Sequence, residues 1–204
     1  MLESIEIRWF YKGHVPNRLY DLFSGSNLQI KPELRTDYYL LIGNCDSLGI
    51  KLRNSRLEIK WLKKREHFDL PKKNIEGKQE RWIRWEWNDT NSFNEILQFI
   101  QVGKDNPWVK IDKKRVQKKF RVFDNSLVEI PQENTPFDFS IELTQLKVYE
   151  HPWWSIGIDT FQNENEIHFF IQLIEQYTDE QFQKNLKSTS SYGYPEWISK
   201  IVSQ

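Results

Sequence analysis

The sequence predicts an α+β fold built on an antiparallel sheet that is closed or strongly curled, and three observations lead there. Between residues 4 and 161, segment after segment alternates apolar and charged residues with a period of two. Clear helical periods gather near the C-terminal end. Alanine, the commonest small helix former, is absent altogether. Strands first and helices afterwards is the order of an α+β chain.

The elements follow in turn. Ser4, Glu6 and Arg8 alternate with Ile5, Ile7 and Trp9, which makes residues 4–10 a strand. Pro16 opens a short helix to Phe23, closed by Gly25. A second strand fits Thr36–Ile42, and Gly49–Arg53 with Leu57–Trp61 reads as a hairpin across Asn54-Ser55-Arg56. Lys78–Trp87 places Glu80, Trp82, Arg84 and Glu86 on one face and Arg81, Ile83, Trp85 and Trp87 on the other. Ser92 and Glu95 form a capping box for a helix carrying Phe93, Ile96, Leu97 and Ile100 and ending at Gly103. Trp108–Lys114 and Phe120–Val122 return to strand. Ile141–Val148 and Trp153–Phe161 follow, with a turn at His151-Pro152. Ile167, Phe170, Ile171 and Ile174 make residues 164–177 helical, Thr178 with Gln181 caps another short helix, and Pro195 starts a last one through Trp197, Ile198 and Ile201.

At 204 residues, with no repeat and no long linker, residues 1–204 are expected to form one domain. Nine Trp and thirteen Phe mean that large rings must supply much of the burial. Lys+Arg and Asp+Glu both number 29, and this balance argues against a protein that coats nucleic acid, where a basic excess supplies most of the affinity. A single cysteine, Cys45, excludes an intramolecular disulfide. MLESIEIRWF carries charges where a signal peptide needs an apolar run, and no stretch has the length of a membrane-spanning helix. The expected address is the cytoplasm, with no membrane partner.

The alternation sorts charge onto one face of each strand. Ile5, Ile7 and Trp9 leave Glu6 and Arg8, while Ile50 and Leu52 leave Lys51 and Arg53. Leu57, Ile59 and Trp61 leave Glu58 and Lys60. Val109 and Ile111 leave Lys110 and Asp112, unless a bulge re-aims Lys113 and Arg115. Ile141 and Leu143 leave Glu142 and Thr144, and Ile156 and Ile158 leave Ser155, Gly157 and Asp159. For any one strand an ordinary solvated face accounts for this. Six together admit a second arrangement, in which the polar faces point inward and line a barrel lumen with cations for phosphates and carboxylates for a divalent ion.

On these residues the chain resembles the CYTH superfamily, the triphosphate tunnel metalloenzymes. S-x-E-x-R at Ser4, Glu6 and Arg8 resembles that family's E-x-E-x-K opening. DYYLLIGNCDSLGIKLRNSRLEIKWL (37–62) is similar to its next block, KQERWIRWEW, WVKIDKKR, SIELTQLKV and WWSIGIDTF follow in the order of its remaining strands, and YPEWI looks like its closing helix. The resemblance implies an eight-stranded antiparallel β-barrel, a tunnel with flanking and C-terminal helices, that binds a triphosphate among inward Arg and Lys. It also implies Mg²⁺ or Mn²⁺ held by carboxylates that orient a water for attack on phosphorus.

Carried over by position, Arg8, Lys51, Arg53, Lys60, Arg84, Lys113 and Arg115 become phosphate-binding residues. Glu6, Glu142 and Asp159 become catalytic residues and metal ligands. Two positions depart from the pattern: Ser4 stands where the family has a first Glu, and Gly157 where a partner to the last carboxylate would sit. The implied function is metal-dependent hydrolysis or binding of a triphosphate or polyphosphate anion. The alternative is non-catalytic binding of an anionic metabolite or a protein partner.

Other patterns carry less. The basic run Lys110–Arg121 resembles a nucleic-acid patch, though such runs are usually solvated faces. Trp82, Trp85 and Trp87 offer either a stacking platform for bases or core packing. The four histidines have no zinc spacing, and there is no P-loop, nucleophile elbow or dinucleotide fingerprint.

Overall fold

The structure, a computed structural model, describes residues 1–25, 31–88, 107–131, 136–161 and 167–202, together with residues 96, 98 and 100. Its strands are β1 (Leu2–Lys12), β2 (Glu33–Leu40), β3 (Leu48–Arg53), β4 (Arg56–Leu70), β5 (Ile75–Asn88), β6 (Trp108–Phe123), β7 (Ser126–Ile130), β8 (Phe139–Val148) and β9 (His151–Thr160). Its helices are α1 (Asn17–Ser24), α2 (Ile167–Tyr177), α3 (Glu180–Gln183) and α4 (Tyr194–Val202). Strands hydrogen-bond in the order β2-β3-β4-β5-β1-β9-β8-β6, and β6 pairs back onto β2. Eight antiparallel strands therefore close into a barrel, and β7 adds a ninth as a hairpin partner of β6. Closure leaves the eight barrel strands without a bare edge. No helix among the described residues is long and apolar enough to cross a membrane.

Because side chains alternate, each barrel strand has an inner and an outer row. Outside, Ile5, Ile7, Ile141, Leu143, Ile156, Ile158, Val116 and Phe120 are buried beneath Leu19 and Phe23 of α1 and Phe169, Phe170, Leu173 and Ile174 of α2. Inside, one end of the lumen is apolar. Phe10, Tyr39, Val109, Ile111, Leu146 and Val148 converge there on Trp197 and Ile198 of α4. Phe10 stacks on Trp197 at 4.4 Å between ring centroids. Glu196 of α4 bonds Lys78 at 2.7 Å and lies 3.3 Å from Arg65, which ties the helix to β5 and β4. The C-terminal helix is thus a plug, and the barrel is a chamber sealed at one end.

This division explains where the sequence pattern misleads. In β6 the apolar residues sit inside at the plug (Val109, Ile111) and outside at the other end (Val116, Phe120), so the hydrophobic phase reverses within one unbroken strand. Read from periodicity, that reversal splits the strand into two pieces and suggests a bulge. The registers of β6 with β2, β8 and β7 run without a shift, and Lys110 and Asp112 face outward as an ion pair at 3.4 Å. The second strand begins at Glu33, three residues before the expected Thr36, and ends at Leu40.

Turns and caps bring smaller corrections. Two-residue turns with both residues in the left-handed region join β3 to β4 (Asn54, φ 48°; Ser55, φ 59°) and β8 to β9 (Tyr149, φ 47°; Glu150, φ 67°). That conformation matches the twist of the flanking strands. The second turn therefore precedes His151-Pro152, which already belong to β9. Asp179, not Thr178, caps α3 by accepting from the Phe182 N–H at 2.7 Å, while the Thr178 hydroxyl donates to the Ile174 carbonyl and finishes α2. The expected helix at 92–103 lies outside the described residues apart from Ile96, Gln98 and Ile100.

Candidate functional site: a charged chamber

Above the plug the lumen is polar. A cavity of about 550 Å³ is lined there by all ten residues assigned from the sequence: Glu6, Arg8, Lys51, Arg53, Lys60, Arg84, Lys113, Arg115, Glu142 and Asp159. Seven strands supply them, and all but Lys113, which lies between Asp112 and Lys114, have a neighbour in sequence on the outer apolar row. Ten lysine and arginine side chains line the cavity against six carboxylates. Asp37, buried against Lys113 at 2.9 Å, makes a seventh. A chain of zero net charge has therefore gathered a local cationic excess. Side-chain exposure rises from Lys113 (1 %) through Arg8 (8 %) to Arg56 (55 %), which orders the wall from the plug to the mouth.

The deepest layer rests on aromatic rings. Lys113 Nζ donates to the Tyr39 hydroxyl at 2.8 Å and lies 3.7 Å from the Tyr194 ring centroid. Tyr194 stacks on Tyr39, and its ring sits 5.3 Å from Arg8 Cζ, so the first residue of the plug helix is also the chamber floor. Burial pushes Lys113 down to about 7, with Asp37 opposing and Arg35 adding to the shift. Asp37 itself stays well below the carboxylate range, since Lys113, Lys51 and Arg35 outweigh its burial.

Along β3, β4 and β5 two cations share one carboxylate. Glu58 contacts Lys51 at 2.6 Å and Arg53 at 3.1 Å. Burial pushes Lys51 down to about 7 against Glu58, with Arg53 and Lys60 adding to the shift. Lys60 bonds Glu6 at 2.5 Å and faces Arg84 directly across the β4–β5 ladder. On the opposite wall Glu33 holds Arg115 at 2.5 Å and Arg35 at 2.9 Å.

The three carboxylates expected to hold a metal lie together, but a guanidinium lies among them. Glu6 and Asp159 face each other across the β1–β9 ladder, and Arg8 and Glu142 both face Gly157. Arg8 lies directly over that glycine: a Cβ on Gly157 would come within 2.6 Å of Arg8 Cζ. From there Arg8 bonds Glu142 at 2.5 Å and approaches Asp159 at 3.7 Å. Burial pushes Glu142 up, but Arg8, Arg115 and Arg35 together hold it well below its ordinary value. Burial, then the Glu142 and Glu6 charges, push Asp159 up to about 6 against Arg8, and its Oδ2 accepts from Ser140 at 2.5 Å. Glu6 is engaged by Lys60 and by the Ser4 hydroxyl at 2.9 Å. Among the described residues, no group of three or more His, Cys, Asp or Glu side chains is arranged to hold a metal ion. The trio as built does not fit Mg²⁺ or Mn²⁺.

Sequence reasoning missed Glu33, Arg35 and Asp37, which alternate with the same period of two that revealed the others. Starting the second strand at Thr36 hid Glu33 and Arg35, and Asp37, inside the expected strand, was given no role. It also left Glu58 without a role and gave no sign that Tyr39 and Tyr194 meet. The three tryptophans form no common platform: Trp82 is buried, whereas Trp85 and Trp87 are exposed on the outer row of β5.

Comparison with family models gives no match, and neither does comparison with curated proteins. Among solved structures, a conserved hypothetical protein of Pyrococcus furiosus is similar over 95% of this chain and 98% of its own, at 14% identity and a TM-score of 0.44. A candidate adenylyl cyclase of Hippeastrum, described as having a dominant triphosphatase activity, is similar over 92% and 97% at 11% identity and 0.42. A candidate adenylate cyclase of Bacillus halodurans is similar over 90% and 98% at 10% identity and 0.45. These likenesses are too distant to assign a role to this chain, and the functional reading rests on the side chains of the lumen.

Proposed function

We propose that the chamber binds a compact, multiply charged anion of the triphosphate or polyphosphate class. The observation that carries this reading is the cationic excess inside a closed, dead-ended cavity of about 550 Å³, in a chain whose charges balance overall. Clustered cations repel one another where water screens them poorly, and an anion spanning several of them relieves that repulsion. Arg and Lys differ in what they supply: Arg53, Arg84 and Arg115 offer planar forks to phosphate oxygens, while Lys51 and Lys60 offer point charges. A chain of phosphates entering from the mouth meets Arg84, Lys60 and Arg53 first and Arg8 and Lys113 last. The volume is in the range of ordinary small-ligand sites. Binding is the activity this geometry supports; hydrolysis through a divalent ion has no fitted ligand set here.

Titration calorimetry with tripolyphosphate, pyrophosphate and orthophosphate tests the reading. Affinity should rise in steps with the number of phosphates, and should fall as salt is raised from 50 to 500 mM. Equal affinity for all three anions, or no heat from any, would overturn it.

A further inference from the structure

We propose that the Arg8 guanidinium is the chamber's built-in cation, standing where a divalent ion would have to sit among Glu6, Glu142 and Asp159, so that the anion taken up is the metal-free form. Three observations carry this. Arg8 bonds Glu142 at 2.5 Å and reaches within 3.7 Å of Asp159, so its charge is already committed to the carboxylates a metal would need. Gly157 makes the room: any side chain there would strike Arg8 Cζ or a terminal nitrogen at 2.6–2.8 Å. Ser155 adds a further contact at 3.3 Å to the same Nη1, which holds the fork in place.

The chemistry differs from that of a metal site in a way that can be measured. A guanidinium compensates carboxylates with fixed, directional N–H donors and cannot leave, whereas a divalent ion binds reversibly and competes with protons and chelators. A chamber with its own cation has no need of metal-complexed phosphate. A bound metal–phosphate complex would instead bring a second positive centre against Arg8. The two substitutions that set this site apart from a carboxylate-rich one, Ser4 and Gly157, fit the same account. Ser4 donates a hydrogen bond to Glu6 in place of a charge, and Gly157 clears the space that Arg8 fills.

Although it concerns the chamber already described, this inference stands on Arg8 and its partners and has a separate readout. Electron paramagnetic resonance of Mn²⁺ titrated with wild-type protein should show the ion remaining in solution at millimolar concentration. One Mn²⁺ bound per chain, lost in Glu6→Gln or Asp159→Asn, would overturn it. Arg8→Met, checked for folding by circular dichroism, should uncover the carboxylates and tighten Mn²⁺ binding at least tenfold. A folded variant with no gain would also overturn the inference, and if Arg8→Met does not fold the wild-type titration decides. Tripolyphosphate affinity should be the same in EDTA as in untreated buffer; an affinity abolished by EDTA counts against the inference. Absence of tripolyphosphate binding under all conditions would fall on the polyanion reading alone, with the Mn²⁺ titration still deciding the role of Arg8.

Discussion

The same strands build the two ends of the lumen to opposite rules. Phe10 and Arg8, Ile111 and Lys113, Leu146 and Glu142 are pairs on single inner rows, yet the first of each pair packs on the plug helix and the second faces the chamber. At the plug, aromatic and aliphatic groups fill the space and lower the free energy of the fold. In the chamber, ion pairs of 2.5–3.2 Å bring charges out of water, and such pairs stabilise weakly because desolvation offsets most of their attraction. Within the lumen, the plug end thus adds to the stability that the outer core supplies, and the charged end is better explained by what it can bind.

The largest test of that contrast is Trp197→Ala. Removing the ring that stacks on Phe10 should destabilise the fold by about 3–5 kcal/mol in urea unfolding. In the chamber, Glu142→Gln should cost about 3 kcal/mol of stability, since Arg8 and Arg115 lose the charge they share, and should also tighten tripolyphosphate binding by enlarging the cationic excess. A chamber built only for stability predicts the loss without the gain.

Arg53→Ala and Lys60→Ala reverse the pattern. Each should weaken tripolyphosphate binding by about 1–3 kcal/mol, the range for losing a charge-assisted hydrogen bond, with less change in stability than at Trp197. Calorimetry beside urea melts separates the two effects. Unchanged affinity in both variants would move the anion away from the β3–β5 wall.

The smallest effect concerns protons. Burial and neighbouring cations lower Lys51 to about 7, so part of the population is neutral at pH 7.5. A bound anion favours the ammonium form and raises that value. Binding at pH 7.5 should therefore take up a fraction of a proton, seen as a heat that varies with buffer ionisation enthalpy, and affinity should fall as pH rises from 6.5 to 8.5. Lys51→Arg, charged throughout that range, should weaken the dependence, leaving the part that Lys113, also lowered to about 7, contributes.

How much of this was legible in the sequence follows from the same division of the lumen. Where the inside is charged and the outside apolar, as at Ser4–Trp9 and Ile156–Asp159, alternation alone assigned each side chain to its correct face. Where apolar residues move from the inner row to the outer, as between Ile111 and Val116, a period-two reading sees a break although the strand continues. The inward position of Lys113 and Arg115 was legible only as one of two options. Glu33 and Arg35 were lost to a boundary error of three residues. The meeting of Arg8 with Gly157 and Glu142 joins three strands, and no spacing along the chain encodes it.

A crystal structure of the protein soaked with tripolyphosphate tests the central claim most directly. The account predicts phosphorus density inside the barrel, within hydrogen-bonding distance of Arg53, Lys60, Arg84 and Arg115, with Arg8 still over Gly157 and no metal peak among Glu6, Glu142 and Asp159. Density confined to the outer surface of a well-ordered barrel, or a metal ion in the place of the Arg8 guanidinium, would contradict it.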